Sequence, residues 1–179
     1  MSDVDSIVSI GEVLSLAMLA DLLHRRGEAS FRKAHPHPFL VLVSLPPTDL
    51  EWIDPSTVEE PLEEVVANAG KIRKEFAVAV RKTDRNAYAN KVTVGRAKNN
   101  DIVLRAPKIS KLHAAFTLDD PAGNGLMDME SINGTFLNGL KLEPRKARPV
   151  QNGDRVDFWR FGFEYLTLPE MLKLLAKWH

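Results

Sequence analysis

No cysteine occurs in the 179 residues. Disulfide frameworks, thiolate metal sites and a cysteine nucleophile are therefore excluded. A net charge is also missing, because Lys+Arg and Asp+Glu both number 24. General nucleic-acid binding needs a basic excess, so this balance argues against it. A membrane span is not evident either. The most apolar stretch, MSDVDSIVSIGEVLSLAMLADLLHRRG, is interrupted by Glu12, Asp21 and several serines, whereas a span needs about 20 apolar residues. The same stretch carries Asp3 and Asp5 where a secretory signal would be basic. It reads as a soluble helix from Ser6 to about Arg26, with Gly27 as its stop, and the chain reads as cytoplasmic. No internal repeat and no low-complexity tract is present.

Charge is nevertheless unevenly placed. Residues 49–64 carry Asp49, Glu51, Asp54, Glu59, Glu60, Glu63 and Glu64 with no Lys or Arg. Residues 81–111 carry nine basic residues, among them Arg96, Lys108 and Lys111, against Asp84 and Asp101 only. A local excess of this kind steers an anionic partner. Without such a partner it is a solvated face.

The hydropathy pattern changes along the chain. After the N-terminal helix, His35-Pro-His37-Pro38 punctuates a linker. PFLVLVSL at 38–45 is a β-branched apolar run that suits a strand. Ser56 or Thr57 is placed to cap a helix through residues 60–74. From residue 75 the texture becomes that of short strands: FAVAVRK, VTVGR, DIVL, HAAFTL, GLMDM, TFLNGLKL and RVDFWRFGFEYLTL. Asn-Gly pairs at 124–125, 138–139 and 152–153 favour the positive φ of tight hairpin turns. Short strands with turns at this spacing predict an all-β sandwich or barrel. LPEMLKLLAKWH closes the chain as an amphipathic helix with Pro169 in its first turn. The expected organisation is a helical extension over 1–37, a first strand and an acidic, partly helical insertion over 38–74, a β domain over 75–168, and a C-terminal helix over 169–179.

Three loops carry the chemistry. In VTVGR, Gly95 lets the backbone turn closely, and Arg96 offers a planar fork matched to phosphate or carboxylate. Its alternative is an ion pair with an acid such as Asp101. In KISKLH, Ser110, Lys111 and His113 precede a buried strand. In SINGTFLNG stand Ser131, Ile132, Asn133, Gly134, Thr135, Asn138 and Gly139.

Taken in order, GR, DIVL, S-K-x-H-A, S-x-N-G-T-F-x-N-G and N-G-D resemble the forkhead-associated (FHA) domain over roughly residues 75–168. The resemblance implies a sandwich of two antiparallel sheets whose loops at one end bind phosphothreonine peptides. It implies that Arg96 and Ser110 hold the phosphate, that Lys111 assists, and that Asn133 bonds the peptide backbone. Gly95, His113, Gly134, Thr135, Asn138 and Gly139 are implied as supports of the loops. Lys108 lies on a loop that in this family meets the residue three after the phosphothreonine, and its charge suits an acid there. Two positions depart from the family pattern. Ile132 stands where threonine is common, and Glu130 stands where glycine is common.

The residues themselves agree with these roles. A phosphothreonine carries a charge of about −1.5 to −2 and three acceptor oxygens. A guanidinium, a hydroxyl and an ammonium are the groups that match it. The expected function is a non-catalytic signalling adaptor without cofactor or metal. Its partner is a threonine-phosphorylated protein, a Ser/Thr kinase or a kinase substrate. The competing reading is a phosphate-independent scaffold that self-associates through its apolar helices.

Overall fold

The computed structural model describes residues 13–44, 75–118 and 124–178. The helix expected at 60–74 and the acidic segment at 49–64 lie outside the described residues.

The described chain begins with a short strand, β1 (Val13–Ser15), and a helix, α1 (Leu16–Ala34). Strands β2 (Phe39–Ser44), β3 (Phe76–Ala79), β4 (Lys91–Gly95), β5 (Ile102–Val103) and β6 (Ala114–Thr117) follow. Next are β7 (Gly125–Asp128), β8 (Thr135–Leu137), β9 (Leu140–Lys141) and β10 (Arg148–Pro149). The last elements are β11 (Arg155–Phe158), β12 (Phe161–Leu166) and helix α2 (Leu168–Ala176). They form two sheets, a seven-stranded one in the order β1-β3-β2-β12-β11-β8-β9 and a five-stranded one in the order β10-β7-β6-β4-β5. The ladders are antiparallel except β4 with β5, which is parallel. This is the mainly β sandwich that the strand pattern predicts.

Two cores explain the sequence texture. Between the sheets, Val92, Val94, Ile102 and Phe116 meet Leu40, Leu42, Val78, Val156, Phe158 and Phe163, all buried. On the outer face of the larger sheet, Phe39, Val41, Ala77 and Ala79 pack under Leu16, Leu19 and Phe31 of α1 and Met171, Leu172 and Leu175 of α2. β2 is thus covered on both faces. That is why it reads as an unbroken apolar run rather than an alternating one. The apolar faces of both helices are directed into this second core.

The N-terminal helix differs from its expected limits. Val13–Ser15 is extended and pairs with Phe76–Val78 of β3, so α1 starts at Leu16. Gly27 does not stop it; the backbone passes through φ 76 there and resumes helical geometry to Ala34, seating Phe31 in the core. A single glycine supplies that kink because it tolerates positive φ.

The Asn-Gly pairs also divide. Asn138-Gly139, at φ 51 and 79, forms the two-residue turn of the β8–β9 hairpin. Asn124-Gly125 instead opens β7, and Asn152-Gly153 lies where the chain passes between sheets, from β10 to β11. A second tight hairpin occurs at Trp159-Arg160 inside the stretch read as one run, with Trp159 at φ 56. The Arg160 guanidinium lies 5.7 Å from the Trp159 ring centroid.

Candidate functional site

Strand β4 ends against the loop that precedes β6, and glycine is required there. A Cβ on Gly95 would stand 2.4 Å from the Lys111 carbonyl oxygen and 2.9 Å from Asn100 Nδ2. The close approach lets Arg96 N–H donate to the Ser110 carbonyl (3.0 Å) and Ala97 N–H donate to the Lys111 carbonyl (3.2 Å). Asn100 Nδ2 adds bonds to the carbonyls of Ala97 (2.8 Å) and Lys111 (2.7 Å). The backbone on either side of Arg96 is therefore clamped to the backbone of Ser110 and Lys111.

His113 ties that loop to the next one. Its ring is fully buried and sits edge-on to Phe158, with centroids 6.1 Å apart. Ser110 N–H donates to His113 Nδ1 at 3.1 Å. Nε2 lies 3.0 Å from the Gly134 carbonyl. Since Nδ1 accepts, the proton resides on Nε2 and is donated to Gly134. Burial pushes the imidazole below its ordinary pKa of 6.5, against the raising influence of the Gly134 carbonyl and the Asp128 charge. The neutral ring is the form that accepts from Ser110 and donates to Gly134 at once.

The third loop is organised by a carboxylate that its sequence context did not single out. Asp128, at the end of β7, is 2% exposed. It accepts from Ser131 N–H (3.0 Å), Ser131 Oγ (2.6 Å) and Thr135 Oγ1 (2.7 Å). Ser131 Oγ accepts in turn from Gly134 N–H (2.9 Å). The chain thereby folds into a compact turn that projects Ile132 and Asn133. Glu130 enters this turn at φ 61, a left-handed conformation that favours glycine. Its carboxylate pairs with Arg145 at 2.9 Å, on the surface.

These loops converge on one groove of about 370 Å³, lined by Arg96, Lys108, Ser110, Lys111, Ile132 and Asn133 among others. Ser110 Oγ accepts from Ile132 N–H at 3.1 Å, and its own proton is donated to none of the described residues. Asn133 Nδ2 donates to the Lys108 carbonyl at 2.7 Å, and Asn133 Oδ1 takes no donor from the described residues. Arg96, Lys108 and Lys111 are exposed, and none of them pairs with a described carboxylate. The alternative partner for Arg96, Asp101, is engaged elsewhere. It is 2% exposed and accepts from Lys82 (3.0 Å), Thr83 N–H (2.8 Å), Thr83 Oγ1 (2.6 Å) and Asn86 Nδ2 (3.0 Å). Thr93 adds its N–H (2.8 Å) and its hydroxyl (3.0 Å). Burial pushes this carboxyl up, yet the Thr83, Thr93 and Asn86 hydrogen bonds outweigh it and bring the pKa to about 2.

Arg96, Lys108, Ser110, Lys111 and Asn133, the residues implied to meet the peptide, all line the groove, as does Ile132 at the position that departs from the family pattern. Gly95, His113, Gly134 and Thr135 hold its walls through the contacts above. Asn138 and Gly139 do not reach the groove. Asn138 Nδ2 donates to Asp154 (2.8 Å), and its Oδ1 accepts from Arg155 N–H (2.8 Å), which fixes the β8–β9 turn against β11. Asp128, Asn100 and Asp101 are the supports that motif reading missed. Asp128 ends β7, while Asn100 and Asp101 precede β5, and the signal available was a short polar side chain beside a buried strand.

The family model for the FHA domain matches residues 92–159. The oxoglutarate dehydrogenase inhibitor of Corynebacterium glutamicum is 34% identical over 77 residues, 43% of this chain and 51% of that protein. The glycogen accumulation regulator GarA of Mycobacterium tuberculosis is 35% identical over 78 residues, 44% of this chain and 46% of that protein. The DNA damage response protein kinase DUN1 of Saccharomyces cerevisiae is 38% identical over 87 residues, 44% of this chain and 17% of that protein. The chain thus spans about half the length of the two bacterial relatives. Among solved structures, the FHA domain of an Arabidopsis thaliana hypothetical protein aligns at 20% identity with a TM-score of 0.47, covering 74% of this chain and 86% of that one. Among the described residues no helix is long and apolar enough to cross a membrane.

Proposed function

We propose, from the premise that residues 92–159 form an FHA domain, that the chain is a phosphothreonine-dependent interaction module without catalytic activity. The observation that carries this reading is the convergence of a guanidinium, an undonated hydroxyl and an ammonium in one groove. Backbone hydrogen bonds join Arg96 to Ser110 and its neighbour Ala97 to Lys111, and no described carboxylate neutralises the two cations. A phosphate dianion matches this set in charge and in acceptor count.

In this role Arg96 grips two phosphate oxygens, Ser110 Oγ donates to one, and Lys111 adds charge. Asn133 Oδ1 accepts a peptide N–H while its Nδ2 keeps the two loops together. His113 and Asp128 are positioning residues that hold the groove from beneath. Lys108, held through its carbonyl by Asn133, presents its ammonium to a peptide acid near the phosphothreonine. Among the described residues no three His, Asp or Glu gather as a metal site. Two matched relatives bear the names of an inhibitor and a regulator, which supports a regulatory role; the partner in this reading is a threonine-phosphorylated protein, a kinase or a kinase substrate.

Fluorescence-polarisation titration against matched pools of threonine, phosphothreonine and phosphoserine peptides tests the reading. Saturable binding to the phosphothreonine pool alone is expected. Equal binding to the unphosphorylated pool would instead establish a phosphate-independent scaffold.

A further inference from the structure

A second cavity adjoins the phosphate groove. It is about 250 Å³ and is lined by Asn86, Tyr88, Asn99, Asn100, Lys111 and Leu112 among others. Lys111 and Leu112 line both cavities, whereas Lys108, Ile132 and Asn133 line only the first. Lys111 therefore forms the ridge between them.

The polar groups of this second cavity are unequally occupied. Asn86 is saturated. Its Nδ2 donates to Thr93 Oγ1, the Asn99 carbonyl and Asp101, and its Oδ1 accepts from Lys82 and from Tyr88 N–H. Asn100 is not. It is 3% exposed, and its Nδ2 is spent on the carbonyls of Ala97 and Lys111. Those two bonds fix the amide orientation and leave Oδ1 as its remaining polar atom. No described residue donates to that oxygen. A buried acceptor without a donor is destabilising, so a ligand that supplies one is favoured. Tyr88 is a large apolar residue left 42% exposed at the same cavity, with its phenol oxygen making no described hydrogen bond.

We infer that this cavity is a second peptide subsite, resting on the phosphopeptide reading, which selects a neutral side chain with a hydrogen-bond donor at its tip. Serine, threonine, asparagine and glutamine fit that description. Asn100 Oδ1 accepts the donor, and the Tyr88 ring covers the aliphatic part of the side chain. Lysine and arginine are disfavoured because Lys111 lines the same space. A peptide whose phosphate lies at Arg96, Ser110 and Lys111 reaches Lys108 with residues on one side. It reaches the second cavity with residues on the other. Because Lys111 and Leu112 line both cavities, the selected residue stands close to the phosphothreonine in the peptide.

Fluorescence polarisation with a positional panel tests this. Each of the three residues on either side of the phosphothreonine is set in turn to Ala, Leu, Ser, Asn, Gln or Lys. Wild-type protein is compared with Tyr88→Ala, Asn99→Ala and Lys108→Glu, none of which removes a clamp of the phosphate groove. The expected result is a preference of about threefold to tenfold for Ser, Asn or Gln over Ala, Leu and Lys at one position. That position lies on the side opposite the one whose preference Lys108→Glu alters. Tyr88→Ala should flatten the preference, whereas Asn99→Ala, at an exposed side chain that neither accepts the donor nor covers the aliphatic part, should retain it; affinity for the all-alanine peptide should be unchanged in both. Binding without such a preference, or a preference that Tyr88→Ala retains, overturns the subsite alone. Failure of the wild-type protein to bind any phosphopeptide overturns the parent reading and the subsite with it.

Discussion

Replacing Asp101 by asparagine exchanges one oxygen of a buried carboxylate that ties the β3–β4 loop to β4, and should cost about 3 kcal/mol of stability. The carboxylate is buried and its oxygens accept from Lys82, Thr83, Asn86 and Thr93. An amide keeps one acceptor oxygen and turns the other into a donor. If that donor replaces Oδ2, it faces the Thr93 and Asn86 N–H groups; if it replaces Oδ1, it faces Thr83 N–H and Lys82. Either way at least one backbone N–H loses its acceptor and Lys82 loses its counter-charge. An unpaired buried donor costs about 1–3 kcal/mol, and hydrogen bonds to a charged group are the stronger kind. The pKa gives a second route to the magnitude. A fall from 3.8 to about 2 corresponds to about 2 kcal/mol of preference for the ionised form in the folded state. Because the folded pKa lies below the unfolded one, this stability is present above pH 5 and is lost as pH falls toward 2. Guanidinium chloride unfolding at pH 7 reads the first effect, and the same titration repeated down to pH 3 reads the second. Asp101→Asn should lower the unfolding free energy by about 3 kcal/mol and remove part of the acid dependence. A loss below about 1 kcal/mol, with wild-type acid dependence retained, would refute the claim that this carboxylate anchors the β3–β4 loop.

Other perturbations follow from the same geometry. Gly95→Ala drives a methyl group into the Lys111 carbonyl, so calorimetry should show a loss of about 3 kcal/mol, with phosphopeptide binding abolished. His113 needs its neutral form, and its folded pKa lies below 6.5. Its contribution is therefore complete above pH 6.5 and lost as pH falls below that value. Unfolding midpoints between pH 7.5 and 5 should decline in the wild type, with a shallower slope in His113→Gln. Glu130→Gly relieves a left-handed backbone and removes a negative charge from the groove rim. Peptide affinity should tighten about twofold to fivefold, with no loss of thermal stability.

Much of this architecture is legible in the residues, for identifiable reasons. Strands flanked by turn residues announce themselves through β-branched alternation, and the three binding loops through residue types that serve no strand. The N-terminal limits were harder to read. Val13 and Leu14 are as apolar as the helix they precede, and only their pairing with Ala77 and Val78, more than sixty residues away, makes them extended. Trp159 was hidden for the opposite reason, since an aromatic at positive φ carries no turn signature. The groove's cations were visible as residue types, but their supports were not. Asp128 looks like any polar end of a strand until Ser131 and Thr135 fold back to it. Asn138-Gly139 shows the converse, a motif pair whose regularity belongs to the β8–β9 turn rather than to the binding face.

The central claim is that Arg96, Ser110 and Lys111 hold a phosphate group, and Arg96→Ala tests it most directly. The guanidinium supplies two charge-assisted bonds, so its removal should weaken binding to a phosphothreonine peptide by about 30-fold or more. Circular dichroism and the unfolding midpoint should stay unchanged, because the Arg96 side chain is exposed and makes no hydrogen bond or ion pair with the described residues. Wild-type phosphopeptide affinity in a well-folded Arg96→Ala protein would contradict the account.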